Sequence, residues 1–103
     1  MRRVIIESPW RGDTEANRAY AIKAMIHSIG LLEAPFASHL LYTQFLNEEN
    51  AKQSALGILL GFAWYKSAEA CVVYTDLGVS SGMMLGMEEA EKYKLPIIRR
   101  KIL

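Results

Sequence analysis

Three short stretches hold nearly all the residues that could do chemistry. The first, Ser8-Pro9-Trp10-Arg11-Gly12-Asp13, supplies a hydroxyl, an indole, a guanidinium and a carboxylate in close succession. The second, Ser38-His39-Leu40-Leu41-Tyr42, adds an imidazole and a phenol, and the third, Thr75 to Gly82, adds Asp76, Ser80 and Ser81. Arg11 can fork onto an anion. Trp10 or Tyr42 can stack on a base, and a helix starting at Ser80-Ser81-Gly82-Met83 offers free amides and a positive dipole end that suit a phosphate. This inventory points to a nucleotide or nucleoside ligand more readily than to any one reaction.

Other chemistries lack their residues. Two histidines and one cysteine, at no ligand spacing, make no metal cluster. There is no Walker-type phosphate loop, and Gly78-Val79-Ser80-Ser81-Gly82 only loosely resembles a nucleophile elbow, without His and acid partners in order. No cofactor is expected.

The elements that must position these stretches read as alternating strands and helices. Val4-Ile5-Ile6 is a β-branched run cut by Ser8-Pro9, which makes it a strand followed by a turn. A helix follows to Ser28, capped by Asp13 or Thr14 and ended by Gly30. Its expected core stripe is Ile22, Met25, Ile26 and Ile29, with His27 at its boundary or in solvent. Leu31 to Ala37 is a second strand, interrupted by Pro35. Asn47 is expected to cap a helix with Glu48 and Glu49 in its first turn, running to about Ser67 and apolar nearly all round from Ala55 to Tyr65. Gly57 and Gly61 leave a smooth strip on it, and so apolar a helix implies a subunit interface, hence a homodimer or larger. Ala70 to Tyr74 is a buried third strand that contains Cys71. A last helix, capped by Ser80 or Ser81, runs from Gly82 to about Lys94, and Leu95 to Ile98 forms a final strand before a solvated Arg99-Arg100-Lys101. The pattern implies an α/β fold, a doubly wound parallel sheet of roughly four to five strands whose carboxyl-end loops form the site.

Composition agrees with one globular domain over residues 1–103: 51% hydrophobic, 22% charged and a formal net charge of +1. That charge gives no bulk attraction to nucleic acid or to an anionic membrane, so neither is an expected partner. The single cysteine suits a reducing, cytoplasmic setting. The chain enters its first strand too soon after Arg2 and Arg3 for a signal-peptide core, and no apolar run approaches membrane-spanning length.

Together, Ser8 to Asp13 with Glu15-Ala16-Asn17, His39 to Leu46, and Ser80 to Met83 with Glu88-Glu89-Ala90 resemble the small, often phage-encoded branch of the nucleoside 2-deoxyribosyltransferase-like proteins. The resemblance spans nearly the whole chain. It implies a flavodoxin-like (Rossmann-like) sheet, an assembly of two or more copies with sites near subunit contacts, and deoxynucleosides or their monophosphates as ligands. Active members cleave or exchange the N-glycosidic bond with a Glu of the last helix as nucleophile. Aligned on Ser80-Ser81-Gly82, that position is Gly86 here, and a second acidic position falls near Gly61. Glycine offers no carboxylate to the anomeric carbon. Glu88 points to the opposite side of the helix and Glu89 lies about one turn further on, where pairing with Lys92 is expected.

The resulting expectation is a non-catalytic nucleotide-binding protein that holds a small nucleotide. An example would be a phage protein in the host cytoplasm that sequesters a cyclic or ADP-ribose-type immune signal. The ligand-binding set is Ser8, Pro9, Trp10, Arg11, Gly12, Asp13, His39, Tyr42, Asp76, Ser80, Ser81, Gly82, Met83 and Gly86. The alternatives are an N-glycosidase or deoxyribosyltransferase using Asp76, Asp13 or Glu89, and a protein interaction module acting through the apolar helix.

Overall fold

The computed structural model describes all 103 residues. Strands β1 (Arg3–Glu7), β2 (Ala34–Phe36), β3 (Ala70–Tyr74) and β4 (Ile97–Arg100) form one sheet in the order β2-β1-β3-β4, with every pair parallel. Four helices connect them: α1 (Thr14–Gly30), α2 (Ser38–Leu41), α3 (Ala51–Phe62) and α4 (Ser81–Lys92). This is the flavodoxin-like, doubly wound arrangement that the alternating pattern implies.

Strand alternation divides the core in two. Val4 and Ile6 of β1 join Val72 and Tyr74 of β3 under Tyr20 and Ala24 of α1. Ile5, Cys71 and Val73 face the other way, against Tyr65, Met83 and Ala90, with Phe62 of α3 packed alongside. By the same alternation Glu7, two residues after Ile5, points to the α3/α4 side.

Several boundaries and faces differ from expectation. α1 buries Asn17, Tyr20, Ala21, Ala24 and Ser28 rather than its isoleucines. Its small residues let the helix sit close on the sheet, which rotates the isoleucine stripe outward and leaves Ile26 64% and Ile29 55% exposed. β2 shrinks to three residues. Asn47 does not cap α3. Its side chain accepts from Glu49 N in a local turn, while Asn50 accepts from Lys52 N and Gln53 N and starts the helix there. The presumed loop after β2 is itself helical, as α2 and a 3-10 turn at Tyr42–Gln44, and a second 3-10 turn at Tyr65–Ser67 follows α3.

The glycine strip of α3 serves the chain's own packing. A Cβ at Gly61 would stand 2.7 Å from Ser38 Oγ, and one at Gly57 would stand 3.4 Å from Leu46 Cδ1, so these glycines let α3 close onto α2 and the turn that follows it. What α3 leaves exposed is a separate stripe that includes Leu56 and Leu59.

Arg100 is no solvated end. It extends β4 and forks onto Glu33, with Nη1 to Oε1 and Nη2 to Oε2 both at 2.8 Å. Ser28 Oγ donates to the same carboxylate at 2.7 Å and Arg2 adds a third partner at 2.9 Å. This network holds the Glu33 carboxyl down to about 2, through the Arg100 hydrogen bonds first of all. His27 is half-buried beside it, 3.0 Å from the Tyr74 hydroxyl. No helix is long and apolar enough to cross a membrane.

Candidate binding cleft

The cleft opens where the strand order reverses, outside the carboxyl ends of β1 and β3, and encloses about 280 Å³. Three walls build it. The middle one is the loop after β1, held by Asn17 Nδ2, which donates to the carbonyls of Trp10 and Arg11 at 2.9 and 3.1 Å. This presents Ser8, Trp10 and Arg11 to the cleft. Beyond β2 stands the α2 wall, with His39 and Tyr42. Tyr42 is braced from behind, since its hydroxyl accepts from Trp64 Nε1 at 2.8 Å and Phe36 packs against both rings. Beyond β3 stands the start of α4, where Ser80, Ser81, Gly82 and Met83 line the cavity.

The start of α4 is polarised as an anion site. Ser80 Oγ accepts from Met83 N at 3.2 Å, which caps the helix and aligns its first turn. The amides of Ser81 and Gly82 precede any helical acceptor and therefore have no partner within the helix. Arg11 reaches across the opening, and its Nη2 donates to Ser54 Oγ of α3.

His39 is a neutral wall residue. Burial pushes its imidazole down to about 4, and its Nε2 lies 2.7 Å from Ser8 Oγ. The Trp10 ring meets it edge-on at 5.8 Å, and Trp10 Nε1 is buried without a hydrogen-bond partner.

Five expected residues do not line the cavity. Asp13 is the N-cap of α1, its carboxylate accepting from Ala16 N, and Gly12 makes the preceding turn at φ +101°. Pro9 is buried behind the loop. Asp76 is consumed by the α1 side of the sheet: Tyr20 Oη donates to it at 2.7 Å, and the amides of Ile102 and Leu103 donate at 2.8 and 3.0 Å. Glu89 is buried and pairs with Lys92 Nζ at 3.1 Å, as its spacing implied. The three acids considered for a shifted catalytic geometry are therefore all committed to the fold.

Gly86, the fifth, stands directly behind a residue that sequence reasoning passed over. A Cβ at Gly86 would collide with the Glu7 carboxyl, lying 2.5 Å from its Cδ, and would stand 2.7 Å from the Tyr65 hydroxyl. Glu7 ends β1 on the cleft floor, and Tyr65 Oη donates to its Oε2. Its Oε1 has no protein partner and is not sealed from solvent, so it is the oxygen left to the cleft. Burial raises the carboxyl to about 7, although the Tyr65 hydrogen bond pulls the other way. The available signal was an acidic residue closing an otherwise β-branched strand, on the same face as Ile5. Tyr65 was hidden in what read as a uniformly apolar helix.

A parallel sheet in this order, with a small-molecule-sized cleft at its switch point, defines a flavodoxin-like α/β protein whose cleft lies at the strand ends. Within that class the chain belongs to a family described as a domain of unknown function, DUF7768, whose model matches residues 2–100. Comparison with curated proteins gives no match. No group of three or more His, Cys, Asp or Glu is placed to hold a metal ion.

Proposed function

We propose that the cleft binds a nucleotide or nucleoside, with the phosphate against the first turn of α4 and Arg11 and the base against the Tyr42 and Trp10 wall. The observation that carries this is the convergence, around one cavity, of unpaired helix amides, a guanidinium and braced aromatic rings. Its size narrows the ligand. About 280 Å³ lies just below the roughly 300–1,000 Å³ typical of small-ligand sites, which suits a mononucleotide better than a dinucleotide. This favours mononucleotide-sized molecules over a cyclic dinucleotide as the species held by one chain. The resemblance to deoxyribosyltransferase-like proteins supports the same ligand class, and a homodimer or larger would cover Leu56 and Leu59.

Calorimetric titration with nucleosides, nucleoside 5′-monophosphates and ADP-ribose tests the reading. Saturable binding that weakens when the phosphate is removed is expected. Absence of binding across the panel would refute it. Holding without turnover, as in sequestration, rests on Gly86 offering no carboxylate; the Glu7 carboxyl lies against that glycine, its Cδ 2.5 Å from where a Cβ would stand.

A further inference from the structure

We propose that the cleft takes up its phosphate-bearing ligand together with a proton, and that the Glu7 carboxyl on its floor is the group that receives it. The proposal rests on the nucleotide-binding reading above. It goes beyond it by giving Glu7 a part in binding and by tying the affinity to pH.

Helix geometry fixes how near the two groups come. The Glu7 carboxyl lies against α4 at Gly86, its Cδ 2.5 Å from where a Cβ there would stand. Gly86 follows Gly82 by four residues, an advance of about 6 Å along the helix. The carboxyl therefore stands little more than one turn from the amides of Ser81 and Gly82 against which the phosphate is placed, and Glu7, Ser81 and Gly82 line the same cavity. It cannot swing clear. Oε2 is held by the Tyr65 hydroxyl, and α4 closes the space at Gly86. Oε1, without a protein partner, is the oxygen open to a proton.

An ionised carboxyl so placed opposes an anion in the same small cavity, where charges are screened less than in water. Its immediate neighbours supply no cation to offset this. They are the Tyr65 hydroxyl after α3, the Cys71 thiol on β3 and Glu89 on α4, whose own charge is paired with Lys92. Across the cavity His39 is neutral, Arg11 is bonded to Ser54 of α3, and Glu48 adds negative charge. Burial already raises the Glu7 carboxyl to about 7, so near neutral pH the free cleft holds acid and carboxylate forms together. A bound phosphate favours the acid form and draws a proton from solvent onto Oε1. By linkage the reverse holds as well, and the ligand binds more weakly as pH rises and the carboxyl ionises.

The full chain and its Glu7→Gln variant are titrated calorimetrically with nucleoside 5′-monophosphates and with the matching nucleosides. Near pH 7.5, the difference in binding enthalpy between Hepes and Tris buffers gives the protons taken up. Wild type is expected to take up about half a proton more per monophosphate than Glu7→Gln, the amount that follows if bound phosphate strengthens the carboxyl's hold on its proton about tenfold. The ligand's own ionisation is common to both proteins. Wild-type affinity for the monophosphate should fall about fivefold from near pH 7 to near pH 9, where Glu7→Gln should bind it about tenfold more tightly than wild type. The nucleosides should show neither effect. In Tyr65→Phe the fall should begin at higher pH, because the hydroxyl that lowers the Glu7 carboxyl is gone. Equal proton uptake by wild type and Glu7→Gln, or no gain in affinity by the variant near pH 9, would overturn the proposal and leave the binding reading standing. Failure of every compound to bind would remove both.

Discussion

The Glu7 carboxyl lies buried on the cleft floor, and its stability signature can be measured without a ligand. Burial raises it from 4.5 to about 7 in the folded chain, whereas the unfolded chain retains the ordinary value. Below the ordinary value the group is neutral in both states and costs nothing. As pH rises through about 7 the folded state must ionise a desolvated carboxyl that the unfolded chain solvates freely, so stability is lost across that interval. At about 1.4 kcal/mol per unit the shift corresponds to roughly 3 kcal/mol. Solvent at the oxygen left to the cleft lowers the expectation to about 2 kcal/mol. Glu7→Gln keeps the shape and an oxygen for Tyr65 but removes the charge. Urea denaturation should therefore show the variant matching wild type near pH 4 and exceeding it by about 2 kcal/mol near pH 8.5. Other titrating groups, such as Glu33 and His39, are common to both proteins and drop out of the difference. A difference that does not grow with pH would show that Glu7 is ordinarily solvated, and the case for a proton held at neutral pH would fall with it.

Further outcomes are expected. Arg11→Ala should weaken a phosphate-bearing ligand by about 1.5–3 kcal/mol in calorimetry, the scale of a hydrogen bond to a charged group, with His39→Ala costing less because the imidazole is neutral. Gly86→Ala should destabilise by about 1–3 kcal/mol through overpacking against Glu7, and combining it with Glu7→Ala should return part of that loss in a thermal double-mutant cycle. Arg100→Leu should cost on the order of 3–5 kcal/mol by leaving Glu33 buried without its main partner. In wild type the contribution of Glu33 is present above its ordinary value of 4.5 and lost as acid takes the pH toward 2, which acid titration of the fold checks. Sedimentation at micromolar concentration should show a dimer or larger, and Leu59→Glu should shift it to monomer, since that side chain is 65% exposed on α3.

The sequence by itself determined the class of fold and much of the cleft. Apolar runs separated by capped helices admit few arrangements other than a parallel sheet, and the loops after successive strands must then meet at one end. That is why Ser8, Trp10, Arg11, His39, Tyr42 and Ser80 to Met83 could be named before any coordinates. Tertiary structure decided which polar groups were free. Asp76 has the chemistry of a site residue, but the Tyr20 hydroxyl and the amides of Ile102 and Leu103 consume it, and Tyr20 lies 56 residues away; Asp13, by contrast, is taken by a local cap that its place before the helix already indicated. It also decided how helices turn: α1 presents Ala21, Ala24 and Ser28 because close approach to the sheet outweighs a broader isoleucine stripe that cannot fit as near. Gly86 shows the limit most directly. Along the chain it reads only as a glycine in α4, whereas in space the carboxyl of Glu7, from β1, takes the room a side chain there would need, and only the packing of strand against helix brings those residues together.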